Sequence, residues 1–266
     1  MRTLALAFAE GGVIAQRNLI KLKRVPEILI WTTMSPIMFV ILFAYVFGSS
    51  IEIPGTTYRE YLIAGIFAQT VLFGSTFTGA GLAEDMTKGI IDRFRSLPMS
   101  QTAVLMGRTG SDIVYNSISI LVMTITGLIV GWRIRTSPLE AAVGFIVLLA
   151  FAYAISWIMA FVGLKVKTVE AVQNASFMFI FPMSFVANTF VRSDLLPAPL
   201  KAFAEWNPVS SAAQAVREAF GNTGSLPEPG VWSLANPVAY TLIWVAIILA
   251  VFVPLSVRQY KKAASR

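Results

Sequence analysis

The chain has 266 residues, 56% of them hydrophobic and only 13% charged, with a formal net charge of +7 and a mean hydropathy of +0.70. Soluble domains carry about 25% charged residues, so this composition excludes an ordinary soluble protein and indicates an integral membrane one. Cysteine and histidine are both absent; disulfides, thiolate chemistry and every histidine-dependent triad are excluded, and carboxylates are left as the only plausible acid-base groups.

Residues 1–27 mix apolar positions with Glu10, Gln16, Arg17, Asn18 and Lys21, which is not the pattern of a signal peptide, and the chain is expected to be kept whole. Leu4, Phe8, Ala15, Leu19 and Leu22 recur at near-helical spacing beside the basic run Lys21, Lys23, Arg24. This predicts a cytoplasmic amphipathic helix lying on lipid headgroups. A first apolar span follows at 28–48, close to the ~20 residues that a 30 Å hydrocarbon core requires, with a kink expected at Pro36. The turn pair Pro54-Gly55 then leads to a second span, 61–83. Its Gly65, Gly74, Ser75, Thr76, Thr78, Gly79 and Gly81 predict close packing inside a bundle, because small residues let helix backbones approach.

Residues 84–99, EDMTKGIIDRFRSLPM, form a long charge-dense segment between two apolar runs. Met86, Ile90, Phe94 and Leu97 share one helical face, and Pro98 ends the pattern. Glu84 and Asp85 suit a helix start and Arg93 and Arg95 a helix end, by the sign of the helix dipole. Such a helix either anchors at the membrane surface or docks a soluble partner.

Further spans are expected at 112–132, 139–164, 171–191 and 237–257. The third holds Gly127-x-x-x-Gly131, read as ordinary packing, and the fifth is interrupted by Pro182 and carries Gln173, Asn174, Ser176, Ser184, Asn188 and Thr189. Residues 192–234 are too polar to span and too apolar for a free loop. They predict two short helices at the outer interface, broken at Asn207-Pro208, the second running from Ala212 to Phe220 and closed by Gly221. The expected fold is therefore all-α, a single membrane domain of six transmembrane helices with both termini on one side. The N-terminal segment, the 83–111 loop, the 165–170 link and the C-terminus hold 15 of the 21 lysines and arginines, which assigns that side to the cytoplasm. Arg133 and Arg135 are an exception in a short outer link. The cations are spread over loops and not gathered in a patch, so they mark topology and membrane lipid; no nucleic acid partner is implied.

No Gly-Lys pair occurs anywhere in the chain, so it has no GxxxxGK[ST] phosphate cradle and cannot hydrolyse ATP on that plan. The middles of the second and fifth spans carry amides and hydroxyls but no ionisable residue, which argues against a proton-coupled carrier, a charged-filter channel or an embedded enzyme. The energy must come from elsewhere, and the charged helix at 84–99 is where an external motor can push.

Four stretches in order carry a family resemblance: PIMFVILFAYVFGSSI at 36–51, LAEDMTKGIIDRFRSLPMS at 82–100, FPMSFVANTFV at 181–191 and NPVS at 207–210. The chain resembles the ABC-2 type permeases, and within them the daunorubicin- and doxorubicin-resistance-like exporters, over nearly its whole length. The resemblance implies a type V exporter fold with an N-terminal interfacial helix and an outer re-entrant helix pair. It also implies a permease of the cell inner membrane that pairs with a second permease, as a homodimer, and with two copies of a separate ATPase. That ATPase binds ATP and Mg2+; this chain takes no cofactor and no metal. The 84–99 segment becomes a coupling helix, with Glu84, Asp85, Asp92, Arg93, Phe94 and Arg95 as coupling residues. A path between the two permeases is implied along the first, second and fifth spans, where Gln69, Phe73, Phe77, Gln173, Phe177, Phe181, Ser184 and Asn188 share faces. Such walls suit a flat, amphiphilic drug or antibiotic; a lipid or lipid-linked glycan is the alternative cargo.

Overall fold

The computed structural model describes residues 2–24, 27–48, 51–95, 101–166 and 168–263. Among them the chain is helical throughout, with one isolated bridge between Ile53 and Thr56. The first helices are α1 (Arg2–Arg24), α2 (Glu27–Leu42) with a π-helical turn at Phe43–Phe47, and the two-part rod α3 (Tyr58–Gly74) and α4 (Thr76–Thr87). A short α5 (Ile90–Arg95) precedes α6 (Gln101–Val130), α7 (Pro138–Lys165) and α8 (Val169–Val186). After α8 come α9 (Ala198–Trp206), α10 (Pro208–Phe220) and α11 (Trp232–Ala235), and then α12 (Pro237–Ala263).

The helix starts follow local chemistry. Thr57, Thr168 and Asn207 each accept a first-turn N–H with a side-chain oxygen, and Ser137 with Glu140 forms a reciprocal capping box ahead of Pro138. Gly221 closes α10 at φ 69°, a left-handed conformation that glycine adopts without strain.

Among the described residues five helices are long and apolar enough to cross a membrane: Tyr58–Thr87, Thr102–Val130, Pro138–Lys165, Val169–Val186 and Pro237–Lys262, with Thr33–Val46 a shorter apolar helix. The expected first span, 28–48, is divided between α2 and the π turn, and Pro36 sits inside α2 without ending it. The most apolar stretch of Tyr58–Thr87 is 83% buried, against 22% for those of α8 and α12. The α3–α4 rod is therefore the centre of the bundle, as its small residues predicted. A Cβ on Gly163 of α7 would stand 2.3 Å from the Gly79 carbonyl oxygen, so the backbones of α4 and α7 touch.

Several boundaries differ from expectation, each for a packing reason. The third span was expected from 112, yet α6 begins at Gln101 because Ala103, Val104 and Leu105 are buried against α1. A Cβ on Gly107 would lie 2.5 Å from the Gly11 carbonyl oxygen, and Ile14 is 3% exposed. Helix α1 thus turns Gly11 and Ile14 onto α6, not only a headgroup-facing stripe. The fifth span was expected to reach 191, but α8 ends at Val186. Of the GxxxG pair, Gly127 packs on the Trp132 ring while Gly131, at φ 102°, lies beyond the end of α6. The outer pair breaks at Asn207-Pro208 as expected, with α10 starting at Pro208 and not Ala212. Its burial among α3, α7 and α12 inserts it into the bundle.

The expected single helix over 84–99 is two pieces. Helix α4 runs on to Thr87, Gly89 takes φ 65°, and α5 restarts at Ile90. Glu84 and Asp85 consequently lie at the end of α4, contrary to the dipole argument, because they are held by lysine and arginine partners described below. Ser96, Leu97 and Pro98 lie outside the described residues.

Candidate functional site

Three of the expected path helices meet around one cavity. It has a volume of about 270 Å³ and is lined by Ser35, Pro36 and Phe39 of α2, by Gln69, Thr70, Phe73, Thr76 and Phe77 of the α3–α4 rod, and by Phe177, Phe181 and Phe185 of α8. The ring centroids of Phe177 and Phe181 stand 4.8 Å apart and those of Phe181 and Phe185 4.2 Å, both pairs stacked. The four-residue spacing of α8 makes this ladder, and Phe190 and Phe43 extend it at 5.0 and 4.6 Å. The rings stack on one another, so the ladder presents a continuous aromatic wall to the cavity.

Of the eight expected path residues, Gln69, Phe73, Phe77, Phe177 and Phe181 are brought together here. Gln173 is exposed and lines a different cavity. Ser184 is fully buried with no hydrogen-bond partner for its hydroxyl. Asn188 lies just beyond the end of α8, where its side chain and backbone carbonyl accept from Arg217. Phe39 and Phe185 were missed; the signal for Phe185 was its i, i+4 spacing from Phe181, whereas no path residue had been named on the first span to point to Phe39.

A second cavity, of about 390 Å³, is lined by Asn18, Phe77, Gly81, Glu84, Arg108, Asp112, Tyr115, Glu170 and Gln173 among others. Phe77 borders both cavities. The Thr78 hydroxyl donates to the buried Asp112 carboxylate, and Arg108 Nη2 donates to the Phe77 carbonyl at 2.6 Å. Gly81 makes room for that guanidinium, since a Cβ would overlap it at 2.0 Å. Sequence reading missed Arg108 and Asp112 because both stood at the expected edge of a span, where charges are common.

Beside the α4–α5 break, Arg17 Nη2 of α1 bonds Asp85 Oδ2 at 2.8 Å and its guanidinium carbon lies 5.2 Å from the Phe94 ring centroid. Arg17 thereby ties the expected coupling residues Asp85 and Phe94 to α1. Glu84 pairs with Lys88 at 2.6 Å, and this exposed contact holds the lysine ammonium above its ordinary pKa by hydrogen bonding and charge. Arg93 is exposed. The side chains of Asp92 and Arg95 lie outside those described.

The end of the bundle opposite Glu84 has its own polar anchors. Arg217 is fully buried and donates to the carbonyls of Tyr61, Asn188 and Thr189 at 3.0, 2.5 and 3.2 Å. Arg135 grips Glu60 through Nε and Nη2 at 3.0 and 2.8 Å. No group of three or more acidic residues is placed to hold a metal among the described residues.

A model of the ABC-2 type transporter family matches residues 10–220. The chain is 31% identical over 245 residues to the daunorubicin resistance ABC transporter permease protein DrrB1 of Streptomyces coeruleorubidus, covering 92% of this chain and 83% of that one. It is 24% identical over 232 residues to the probable doxorubicin resistance ABC transporter permease protein DrrC of Mycobacterium tuberculosis, with coverages of 86% and 80%. A putative transport permease, ycf38, of Cyanophora paradoxa is 22% identical over 228 residues, 84% of this chain and 78% of that one.

Proposed function

Because the chain belongs to the ABC-2 type transporter family, we propose that it exports a hydrophobic or amphiphilic drug or antibiotic, as the permease of a complex whose separate ATPase supplies the energy. The observation that carries this reading is the ring-walled cavity between α2, the α3–α4 rod and α8. A lipid-linked glycan needs a wide polar channel, and phenyl walls favour a flat apolar cargo.

The complex we propose contains two permease copies, paired as a homodimer, and two ATPase copies that bind ATP and Mg2+. It sits in the cell inner membrane with both termini and the 84–99 segment in the cytoplasm. The four cation-rich segments support this orientation, since Ile14, Ile91, Leu105, Leu164 and Tyr260 form one cluster that gathers them at a single end. At the other end Arg135 pairs with Glu60, Arg192 with Asp194 and Lys201 with Glu205.

Coupling runs through the α3–α4 rod. Ser75 marks its bend, where its hydroxyl lies 2.8 Å from the Val71 carbonyl oxygen and 3.1 Å from that of Ala152. Movement of 84–95 against the ATPase tilts α4 about this point and shifts Phe77, which borders both cavities. Of the six coupling residues, Arg93 is placed to reach the ATPase directly, while Asp85 and Phe94 transmit through Arg17.

The test is to co-express the permease with the ATPase encoded beside it, purify through a permease tag and measure vanadate-sensitive ATP hydrolysis in lipid. A retained ATPase whose hydrolysis rises with an amphiphilic drug, and whose stimulation falls on Arg93→Ala, supports the reading. Failure to retain any ATPase sinks it. If Phe177→Ala with Phe181→Ala leaves drug resistance, expression and stimulated hydrolysis unchanged, the cavity is not the path.

A further inference from the structure

The 390 Å³ cavity holds a carboxylate that the bundle only half engages. Asp112 of α6 is 5% exposed, and its Oδ2 accepts from the Thr78 hydroxyl of α4. Its Oδ1 accepts no hydrogen bond among the described residues and, unlike Arg108 Nε, is not sealed from the cavity that both residues line. Arg108, one turn earlier on α6, directs its Nη2 to the Phe77 carbonyl at 2.6 Å and not to this carboxylate. A carboxylate inside a membrane-spanning helix is costly to keep there without a bonded cation, and such residues mark binding sites. The walls beside it are apolar: Leu19 of α1, Phe77 and Ala80 of α4, Tyr115 of α6 and Val169 of α8. The exposed Glu170 and Gln173 mark where the cavity opens, and Glu84, paired with Lys88, adds a further carboxylate.

We propose that this cavity is a loading site for amphiphilic amines, with Asp112 Oδ1 as the counter-ion that accepts an N–H of the protonated nitrogen. The assignment rests on the reading that the permease exports an amphiphile, and it narrows that class to molecules with an ammonium beside an apolar body. The form of the site selects the cation. Thr78 occupies one carboxylate oxygen, so a single oxygen is left to offer, which suits the point charge of an ammonium; a guanidinium fork needs both oxygens for its paired bonds. A metal ion needs several oxygen ligands, and no group of three or more acidic residues is placed to hold one among the described residues. The carbon skeleton lies against Leu19, Ala80 and the Phe77 ring, whose centroid is 5.3 Å from that of Tyr115. Glu170 at the opening attracts cations and repels anions, which favours the same class. The volume of about 390 Å³ falls within the roughly 300–1,000 Å³ typical of small-molecule sites. Phe77 also borders the ring-walled cavity, so a molecule held here is one side chain away from the proposed path.

The experiment compares two probes on the full-length permease in phosphatidylcholine nanodiscs at neutral pH, with binding to empty discs subtracted. One is 9-(aminomethyl)anthracene, which is protonated there; the other is 9-(hydroxymethyl)anthracene, a neutral molecule of the same shape. The expected result is that the amine binds about tenfold or more tighter than the alcohol, the scale of one charge-assisted hydrogen bond. Asp112→Asn keeps an acceptor for Thr78 at nearly the same volume, so it should bind the alcohol as before and lose the preference for the amine. The double variant Asp112→Leu with Thr78→Val removes the whole bond and leaves no orphaned group; it should give the same outcome, and it covers a folding failure of Asp112→Asn. Glu170→Gln, at the exposed opening, should retain most of the preference. Equal binding of the two probes by the unmodified permease overturns the assignment, as does a preference that survives the loss of the Asp112 carboxylate or vanishes in Glu170→Gln. Binding of neither probe ends the cavity as a loading site. In each of these cases the export reading still stands if an uncharged amphiphilic drug stimulates ATP hydrolysis in the complex, and falls with the assignment if no amphiphile does.

Discussion

Arg217 joins three parts of the bundle through one side chain. Its guanidinium is fully buried, ties α10 to the start of α3 and to the residues just after α8, and lies 3.6 Å from the Tyr61 ring centroid. Replacing it by methionine would leave the carbonyls of Tyr61, Asn188 and Thr189 short of a donor. At about 1 kcal/mol or more for each buried group left unsatisfied, the loss is roughly 3 kcal/mol. The thermal midpoint of the solubilised permease should therefore drop clearly for Arg217→Met. It should drop for Arg217→Lys as well, because a compact ammonium cannot span three separated acceptors as a planar fork does; an unchanged midpoint in both variants would refute the keystone role. The sequence placed Arg217 on a helix facing the outer interface, and nothing in its spacing announced a buried cation. Asn188 shows the same limit from the other side. Its polarity inside an apolar stretch was legible, but its partner comes from a helix 29 positions away, and no local pattern encodes such a meeting.

Among the elements, α3–α4 was the most legible and the coupling segment the least. Seven small or hydroxyl residues in one span predicted close packing, and Gly79 against Gly163 provides it. The bend at Ser75 depends on the Ala152 carbonyl of α7, and the break at Lys88-Gly89 accompanies an α1 that holds Asp85 and Phe94 in place. Periodicity within 84–99 read one continuous helix because it could not see α1. Two expected outcomes follow from that contact. Gly107→Val should push α1 off α6, since even a Cβ there meets Ile14 Cβ at 2.7 Å, and limited proteolysis should then release the N-terminal segment; resistance equal to that of the unmodified chain would deny α1 its docking. Arg17→Ala leaves the Asp85 carboxylate, only 11% exposed, without its cation, a loss of roughly 1–3 kcal/mol, so the fold should survive with a lowered midpoint. Drug-stimulated ATP hydrolysis in the complex should nevertheless fall, as Asp85 and Phe94 lose their common anchor. Stimulation that stays intact would mean that α1 plays no part in transmission.

For the whole molecule, polarity in the membrane decides whether the cavities can work in series. The 390 Å³ cavity beside Glu84 and Glu170 opens at the end where the cation-rich segments gather, the 270 Å³ cavity adjoins it across Phe77, and the polar anchors of Arg217 and Arg135 lie at the other end. Export along this line requires the Glu84 end to face the cytoplasm. The natural absence of cysteine makes the test clean, because each introduced thiol is the only one. An impermeant maleimide applied to intact cells should leave Lys88→Cys unlabelled until the membrane is opened, and should label Leu195→Cys, 66% exposed at the other end, at once. The reverse pattern would place the charged segment outside, out of reach of any cytoplasmic ATPase. Arg133 and Arg135 are then the informative exception to the charge count. Arg135 is bound to Glu60, and Arg133 donates to the Leu128 and Trp132 carbonyls at 2.8 and 2.7 Å. Cations already engaged by the fold at a helix end need not retain that end on the cytoplasmic side, so the two outer arginines and a cytoplasmic Glu84 are compatible, and Lys88→Cys should report the inner face even with both arginines in place.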